Sequence, residues 1–267
     1  MDIKLIASDM DGTLLNAQSE LTPRTIRALF AAADRGIYFV LASGRMARAM
    51  RPYAERLPMN APIIASNGAL IYDLRTGETL YEVNLNQRDA TDALTALEEM
   101  GLYVQSYIGD DYYFERETEF GLNYARAVAV EGLCAGTKLS QFRTDEILKL
   151  LVIDDPVRIR ELQPLFAKKF GDRMHVTISR PWFLEFTHLA AEKGRALAAL
   201  AEKLGVSRER IAAFGDAQND MSMLRYAGVG CAVKSAAPEV LAMADQIVPG
   251  HDEDGVAAWI EERIGTE

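Results

Sequence analysis

Cysteine, histidine, tryptophan and positive charge are all scarce in this chain. Its 267 residues include 2 Cys, 3 His and 2 Trp, and 29 Lys+Arg stand against 39 Asp+Glu. Cys134 and Cys231 lie far apart and make no disulfide framework, which points to a reducing compartment. His175, His188 and His251 have no metal-ligand spacing and read as surface or packing residues. A net charge of −10 argues against binding a polyanionic backbone, while leaving room for a local basic pocket that takes one phosphate. No apolar run approaches the roughly 20 residues that span a bilayer. The opening MDIKLIASDMDGT is acidic, and its apolar stretch is too short for a signal peptide. A cytoplasmic protein with neither a nucleic-acid nor a membrane partner is expected, and its oligomeric state is not legible.

What is present is ordinary globular composition, 49% hydrophobic and 25% charged, which excludes disorder. Ile3 to Ser8 is a short apolar run that breaks into acidic and glycine residues, the pattern of a buried strand ending at a loop. Thr22-Pro23 starts a helix that stops at Gly36, and Ile37 to Ala42 is a second buried strand. A helix over Met46 to Leu57 and a third strand over Pro62 to Ala65 complete a strand, loop, helix repetition. Such repetition predicts a parallel sheet with right-handed crossovers. From about Asn84 to Thr187 antiparallel hairpins alternate with helices, and the α/β pattern then resumes at Glu192. The spacing therefore predicts an α/β core over 1–83 and 188–267, interrupted by an inserted α+β domain over 84–187.

Ligands of open α/β sheets bind beyond the carboxyl ends of the strands. The residues at those ends are Asp9-Met10-Asp11-Gly12-Thr13, Ser43-Gly44-Arg45, Ser66-Asn67-Gly68, and Gly215-Asp216 with Asn219-Asp220. Carboxylates gathered on one rim repel unless a cation sits among them, and an all-oxygen set suits Mg²⁺. Each piece alone has a plainer explanation. Asp is common in turns, Ser43-Gly44 can cap a helix, Asn67-Gly68 is a usual two-residue hairpin turn, and Gly215 to Asp220 can be a capped helix start. Asp9 and Asp11, two apart on an extended segment, would project the same way.

DMDGTLL, LASGR, the helix-opening Lys193 and GDAQND resemble the four motifs of the haloacid dehalogenase superfamily of phosphohydrolases. The insertion looks like the type IIB cap of the Cof-like sugar phosphatases, and SNGALIYD, YAGVG and EDGVA extend the likeness along the whole chain. The resemblance implies a Rossmann-like parallel-sheet core with an inserted α+β (type IIB) cap. The implied activity is a Mg²⁺-dependent phosphatase acting on small phosphomonoesters such as sugar phosphates. It further implies Asp9 as the nucleophile that forms an aspartyl-phosphate, with Asp11 as general acid and then base. Mg²⁺ would be held by the Asp9 and Asp216 carboxylates and the Asp11 carbonyl, with Asp220 binding through water or orienting the others. Ser43, the Gly44 N–H and Lys193 would grip the phosphoryl group, and Met10, Arg45, Asn67 and Asn219 would face the phosphate or substrate. Ser43 stands where Thr is commoner and keeps the hydroxyl. A hexose phosphomutase and a non-catalytic phosphometabolite sensor are the alternatives on the same fold.

Overall fold

The computed structural model describes residues 2–265. Its internal contacts divide the chain into two units, Met1–Tyr81 with Glu192–Glu267, and Glu82–Ala191. The first unit opens with β1 (Leu5–Ser8), buried at all four positions as a central parallel strand must be. In α1 (Pro23–Asp34) the Thr22 hydroxyl accepts the Thr25 N–H, Pro23 occupies the first turn, and the face Thr25, Ala28, Leu29, Ala32 is buried. Then follow β2 (Tyr38–Leu41), α2 (Ala47–Ala54), β3 (Ile63–Ala65), β4 (Leu70–Asp73) and β5 (Glu78–Glu82). Helix α2 is shorter than the expected Met46 to Leu57. Arg56 and Leu57 donate to Tyr53 and Ala54, three residues back, so the last turn tightens out of α geometry.

The second unit contains α3 (Gln87–Glu99), β6 (Val104–Ile108), β7 (Asp111–Phe114), α4 (Glu119–Val128), β8 (Leu133–Cys134), β9 (Ile147–Ile153), α5 (Pro156–Phe170), β10 (Met174–Arg180) and β11 (Phe183–His188). Its sheet has the order β10-β11-β9-β6-β7-β8 and is antiparallel except where β7 meets β8. Alternate residues of β9 and β11, among them Leu150, Val152, Leu184 and Phe186, join Leu94, Leu97, Ile159 and Phe166 of α3 and α5 in one apolar core. The intervening positions carry a buried ion pair, Lys149 to Glu185 at 3.0 Å, with the ammonium 4.5 Å from the centre of the Tyr107 ring.

The first unit resumes with α6 (Lys193–Lys203), β12 (Ile211–Gly215), α7 (Met221–Tyr226), β13 (Val229–Val233), α8 (Pro238–Met243), β14 (Gln246–Val248) and α9 (Gly255–Arg263). Its main sheet is parallel throughout, in the order β14-β13-β12-β1-β2. From β1 the chain steps to β2 on one side, whereas β12, β13 and β14 step away on the other. The order therefore reverses between β1 and β12, and a crevice opens at such a point beyond the strands' carboxyl ends. The third strand does not extend this ladder as expected. β3 touches it through a single bridge, Ala42 with Ile64, and pairs antiparallel with β4 in a separate sheet β3-β4-β5. Only three residues long, β3 is reversed at once by the turn that follows, so β4 takes up its ladder. Cys231, fully buried in β13, has its thiol pushed up to about 12 by burial and stays an uncharged packing group.

Candidate active site

The register of β1 decides which side chains meet. Ser8 lies opposite Phe214 on one side and Leu41 on the other, so Asp9, Gly215-Asp216 and Ala42-Ser43 emerge side by side. Two bonds carry the ladders one step further: Asp9 N–H to the Phe214 carbonyl at 3.0 Å and Ala42 N–H to the Ser8 carbonyl at 2.9 Å. Past Asp9 the chain turns, and the N–H groups of Thr13, Leu14 and Leu15 converge on the Met10 carbonyl at 3.4, 3.1 and 2.9 Å. The Met10 side chain is fully buried in the apolar core and so is not available to a ligand.

The extended geometry expected over Asp9 and Asp11 ends early. The regular strand stops at Ser8, and the two carboxylates reach different partners. Asp11 accepts a fork from Arg45, Nε at 2.8 Å and Nη2 at 2.7 Å, and the guanidinium lies 5.0 Å from the centre of the Tyr53 ring. Gly12 is required twice over. Its φ is +84°, and a Cβ there would stand 2.7 Å from Asp216 Oδ2. The same turn lets the Thr13 hydroxyl donate to Asp216 Oδ1 at 2.9 Å.

Lys193 is the first residue of α6, and its ammonium donates to Asp9 Oδ1 and to Asp220 Oδ1, both at 2.5 Å. Lys193 and Asp220 are 0% exposed and Asp9 is 5% exposed, so these charges persist only because they are paired. Asp220 Oδ2 accepts the N–H groups of Asp216 and Ala217, each at 3.0 Å. Asp220 thus braces the lysine with one oxygen and the Asp216 loop with the other.

Asp9, Asp216 and Asp220 each offer an oxygen within 4.8 Å of the others. Three carboxylates against one ammonium leave an excess of two negative charges. Burial raises the Asp9 pKa well above its usual range; Lys193 opposes the rise, and Asp220 and Asp216 add to it. Asp216 is pushed up to about 6 by burial and then by Asp220, with Thr13 and Lys193 pulling the other way. For Lys193, burial works to lower the pKa, but Asp220 and Asp9 outweigh it and the net shift is upward. Two uncompensated charges on an all-oxygen donor set fit a hard divalent cation held by Asp9 and Asp216. The Asp11 carboxylate is not a member of this cluster.

Of the other expected residues, Ser43 is buried and its hydroxyl accepts the Arg45 N–H at 3.2 Å. Asn219 Nδ2 donates to Asn67 Oδ1 at 3.0 Å. Asn67 lies in the turn between β3 and β4, and the plainer explanation of a two-residue turn does not hold, because residues 66–69 separate the paired Ala65 and Leu70. Ser66, Asn67 and Gly68 have φ of 50°, 58° and 94°, a run of three left-handed residues. That region costs an ordinary residue about 1–2 kcal/mol, and Asn tolerates it better than most. Gly68 is held there by crowding as well, since a Cβ would fall 2.4 Å from the Glu192 carbonyl oxygen, next to Lys193. Sequence reasoning assigned nothing to Thr13, or to Ser222, whose hydroxyl accepts the Gly194 N–H at 3.1 Å beside Lys193. Thr13 stood inside the DMDGT motif, but its partner is 203 positions away, beyond the reach of any local pattern.

A family model described as haloacid dehalogenase-like hydrolase matches residues 6–260. The 5-amino-6-(5-phospho-D-ribitylamino)uracil phosphatase YcsE of Bacillus subtilis is 32% identical over 262 residues, covering 97% of this chain and 95% of that one. The pyridoxal phosphate phosphatase YbhA of Escherichia coli is 27% identical over 270 residues, covering 97% and 98%. A haloacid dehalogenase-like hydrolase from Bacteroides thetaiotaomicron has a similar structure, with a TM-score of 0.88, 30% identity, and 97% and 99% of the two chains covered. A sugar phosphatase of subclass IIB shares the fold at a TM-score of 0.83 and 22% identity, over 99% and 100%.

Proposed function

Given that the chain belongs to the haloacid dehalogenase-like hydrolases and is an enzyme of their phosphoric monoester hydrolase type, we propose that it dephosphorylates sugar phosphates in the cytoplasm through an aspartyl-phosphate on Asp9. The observation that carries this reading is the Asp9 carboxylate at the β1/β12 switch point, held by Lys193 on one oxygen and lying beside Asp216. Asp9 Oδ1 is fixed by the ammonium, so Oδ2 attacks phosphorus along a set line. Phosphoryl transfer asks mainly for alignment and charge neutralisation, and a carboxylate suffices as nucleophile.

In the first step the Asp9 oxygen bonds to phosphorus as the ester P–O bond breaks, and Asp11, freed from the Arg45 fork and protonated when substrate is bound, gives its proton to the departing alkoxide. In the second, Asp11 takes a proton from the attacking water, the Asp9–phosphorus bond breaks, and phosphate leaves. Ser43 and the Gly44 N–H hold the transferring oxygens. Lys193 offsets the charge shared by Asp9 and the phosphoryl group. Asp9, Asp216 and the Asp11 carbonyl would hold Mg²⁺, which would supply Lewis-acid neutralisation of the phosphoryl oxygens. Within the same reading, residues 84–187 form the substrate-specificity domain.

The test is phosphate release from a panel of sugar phosphates, nucleotides and p-nitrophenyl phosphate, with Mg²⁺ or with EDTA. Sugar phosphates are expected to be turned over fastest, and only with the cation. Equal rates in EDTA, or no release from any ester, would sink the proposal.

Cation binding should depend on pH in a defined direction. The metal-free Asp216 pKa of about 6 lies above its ordinary 3.8, so below pH 6 a cation must displace a proton to bind. Calorimetric titration with Mg²⁺ at pH 7.5, 6 and 5 is expected to show affinity falling by up to about tenfold between pH 6 and 5. Stability of the metal-free protein moves the other way. A raised carboxyl pKa contributes stability that is complete below pH 3.8 and is lost as the pH climbs through about 6.

A further inference from the structure

We infer that Asn67 is a positioning residue that acts on the reaction through Asn219. The inference rests on the phosphatase reading above. It starts from the left-handed run Ser66-Asn67-Gly68, which is more than a reversal between two strands. Its backbone is strapped to the loop after β2: the Ser66 N–H donates to the Arg45 carbonyl at 2.9 Å and the Asn67 N–H to the Ser43 carbonyl at 3.0 Å. Its third residue is pressed against the Glu192 carbonyl at the start of α6, where a Cβ would fall 2.4 Å from that oxygen. Its middle residue reaches the loop after β12, through the 3.0 Å bond from Asn219 Nδ2 to Asn67 Oδ1.

One turn therefore touches all three loops that meet the Asp9 loop: the serine loop, the lysine helix and the Asp216 to Asp220 segment. Asn67 is buried to 9% exposure, and its Oδ1 accepts the Asn219 amide. Gly44 packs close by, where a Cβ would stand 2.9 Å from that oxygen. The bond from Asn219 is the link by which the turn fixes the Asn219 side chain. Backbone strain persists where the surroundings over-determine it, and here the straps to Ser43 and Arg45 supply that constraint. Alignment of a phosphate-binding side chain is worth rate, so removing the brace should slow turnover without unfolding the protein.

Asn67→Gly keeps the left-handed backbone and both strapping N–H groups while deleting the amide. It should lower kcat for p-nitrophenyl phosphate by about 10–100-fold, with the midpoint of thermal unfolding little changed. The deciding measurement is a double-mutant cycle with Asn219→Ala, read both as kcat/KM and as the dissociation constant of inorganic phosphate. If Asn67 works through Asn219, the double variant is no worse than Asn219→Ala alone, within about twofold, on both readouts. Losses that multiply in the double variant overturn the inference, because Asn67 then contacts the ligand independently. An Asn67→Gly variant with unaltered kcat and phosphate affinity reduces the turn to a plain connection and overturns it too. Should the wild type release no phosphate from any ester, the phosphate-binding cycle still decides the role of Asn67. Failure of the wild type to bind phosphate at all would overturn both this role and the phosphatase reading.

Discussion

Asp9→Asn is expected to remove phosphate release, by at least about 10³-fold in kcat, and at the same time to make the metal-free protein more stable. The loss follows from the chemistry, since a carboxamide oxygen is too poor a nucleophile to form the acyl phosphate. The stabilisation follows from charge. Asp9 is one of three clustered carboxylates, two of them buried, beside a single ammonium, and its ionisation is opposed by burial and by both neighbours. Asn is nearly isosteric and can still accept from Lys193, so the swap removes one excess charge and keeps the hydrogen bond. Thermal unfolding in EDTA at pH 7.5 should shift upward by a few degrees, at about 2–4 °C per kcal/mol for a unit of this size. A variant with wild-type turnover would end Asp9's role as nucleophile. A lower melting point would end the charge argument while leaving the chemical one standing.

Lys193→Met should move stability in the opposite direction and activity in the same one. The substitution keeps the length and apolar stem but deletes the only cation bonded to Asp9 and Asp220 among the described residues. Breaking a buried pair from one side costs about 3–5 kcal/mol because the remaining charge is left in a poor solvent. A fall in melting temperature on the order of 10 °C is expected in EDTA at pH 7.5. The deficit should shrink in two ways. Lowering the pH toward 5 protonates carboxyls whose pKa values are already raised, and saturating Mg²⁺ replaces part of the missing charge. Turnover should drop by about 10²–10³-fold even with Mg²⁺, because the ammonium also neutralises charge on the transferring group. A melting temperature insensitive to the substitution, or a deficit that neither acid nor cation repairs, would show that Lys193 does not balance the cluster.

How much of this was legible before any coordinates varied with the range of the interaction. The strands that carry Asp9, Ser43 and Asp216 announce themselves as apolar runs that stop at acidic or glycine residues. The parallel sheet follows from their alternation with helices, and Lys193 is visible as a helix opener after Glu192. The partners were not visible. That Arg45 forks onto Asp11, that Thr13 holds Asp216 and that Asn219 bonds to Asn67 depends on loops meeting from positions 34, 203 and 152 residues apart. The turn after β3 stayed open between two readings for a related reason. Asn-Gly is a strong local signal for a two-residue hairpin, whereas the backbone here is tied by bonds to Ser43 and Arg45, which a local rule cannot include. The extended segment expected to carry both Asp9 and Asp11 stops in fact at Ser8, before either of them.

The placement of β1 inside its sheet, between β2 and β12, also governs the order in which the protein can form. Its two neighbours are β2, close behind it, and β12, which begins at Ile211. During synthesis from the N-terminus the strand bearing Asp9 must wait with one edge unpaired until most of the chain has been made. The intervening unit, Glu82–Ala191, is one continuous stretch with its own apolar core and can close without that delay. Pairings of such large sequence separation are slow to form and leave an apolar edge open meanwhile. β1 therefore depends on chaperoning or on rapid elongation, and mutations that slow β12 docking should reduce yield before they reduce activity.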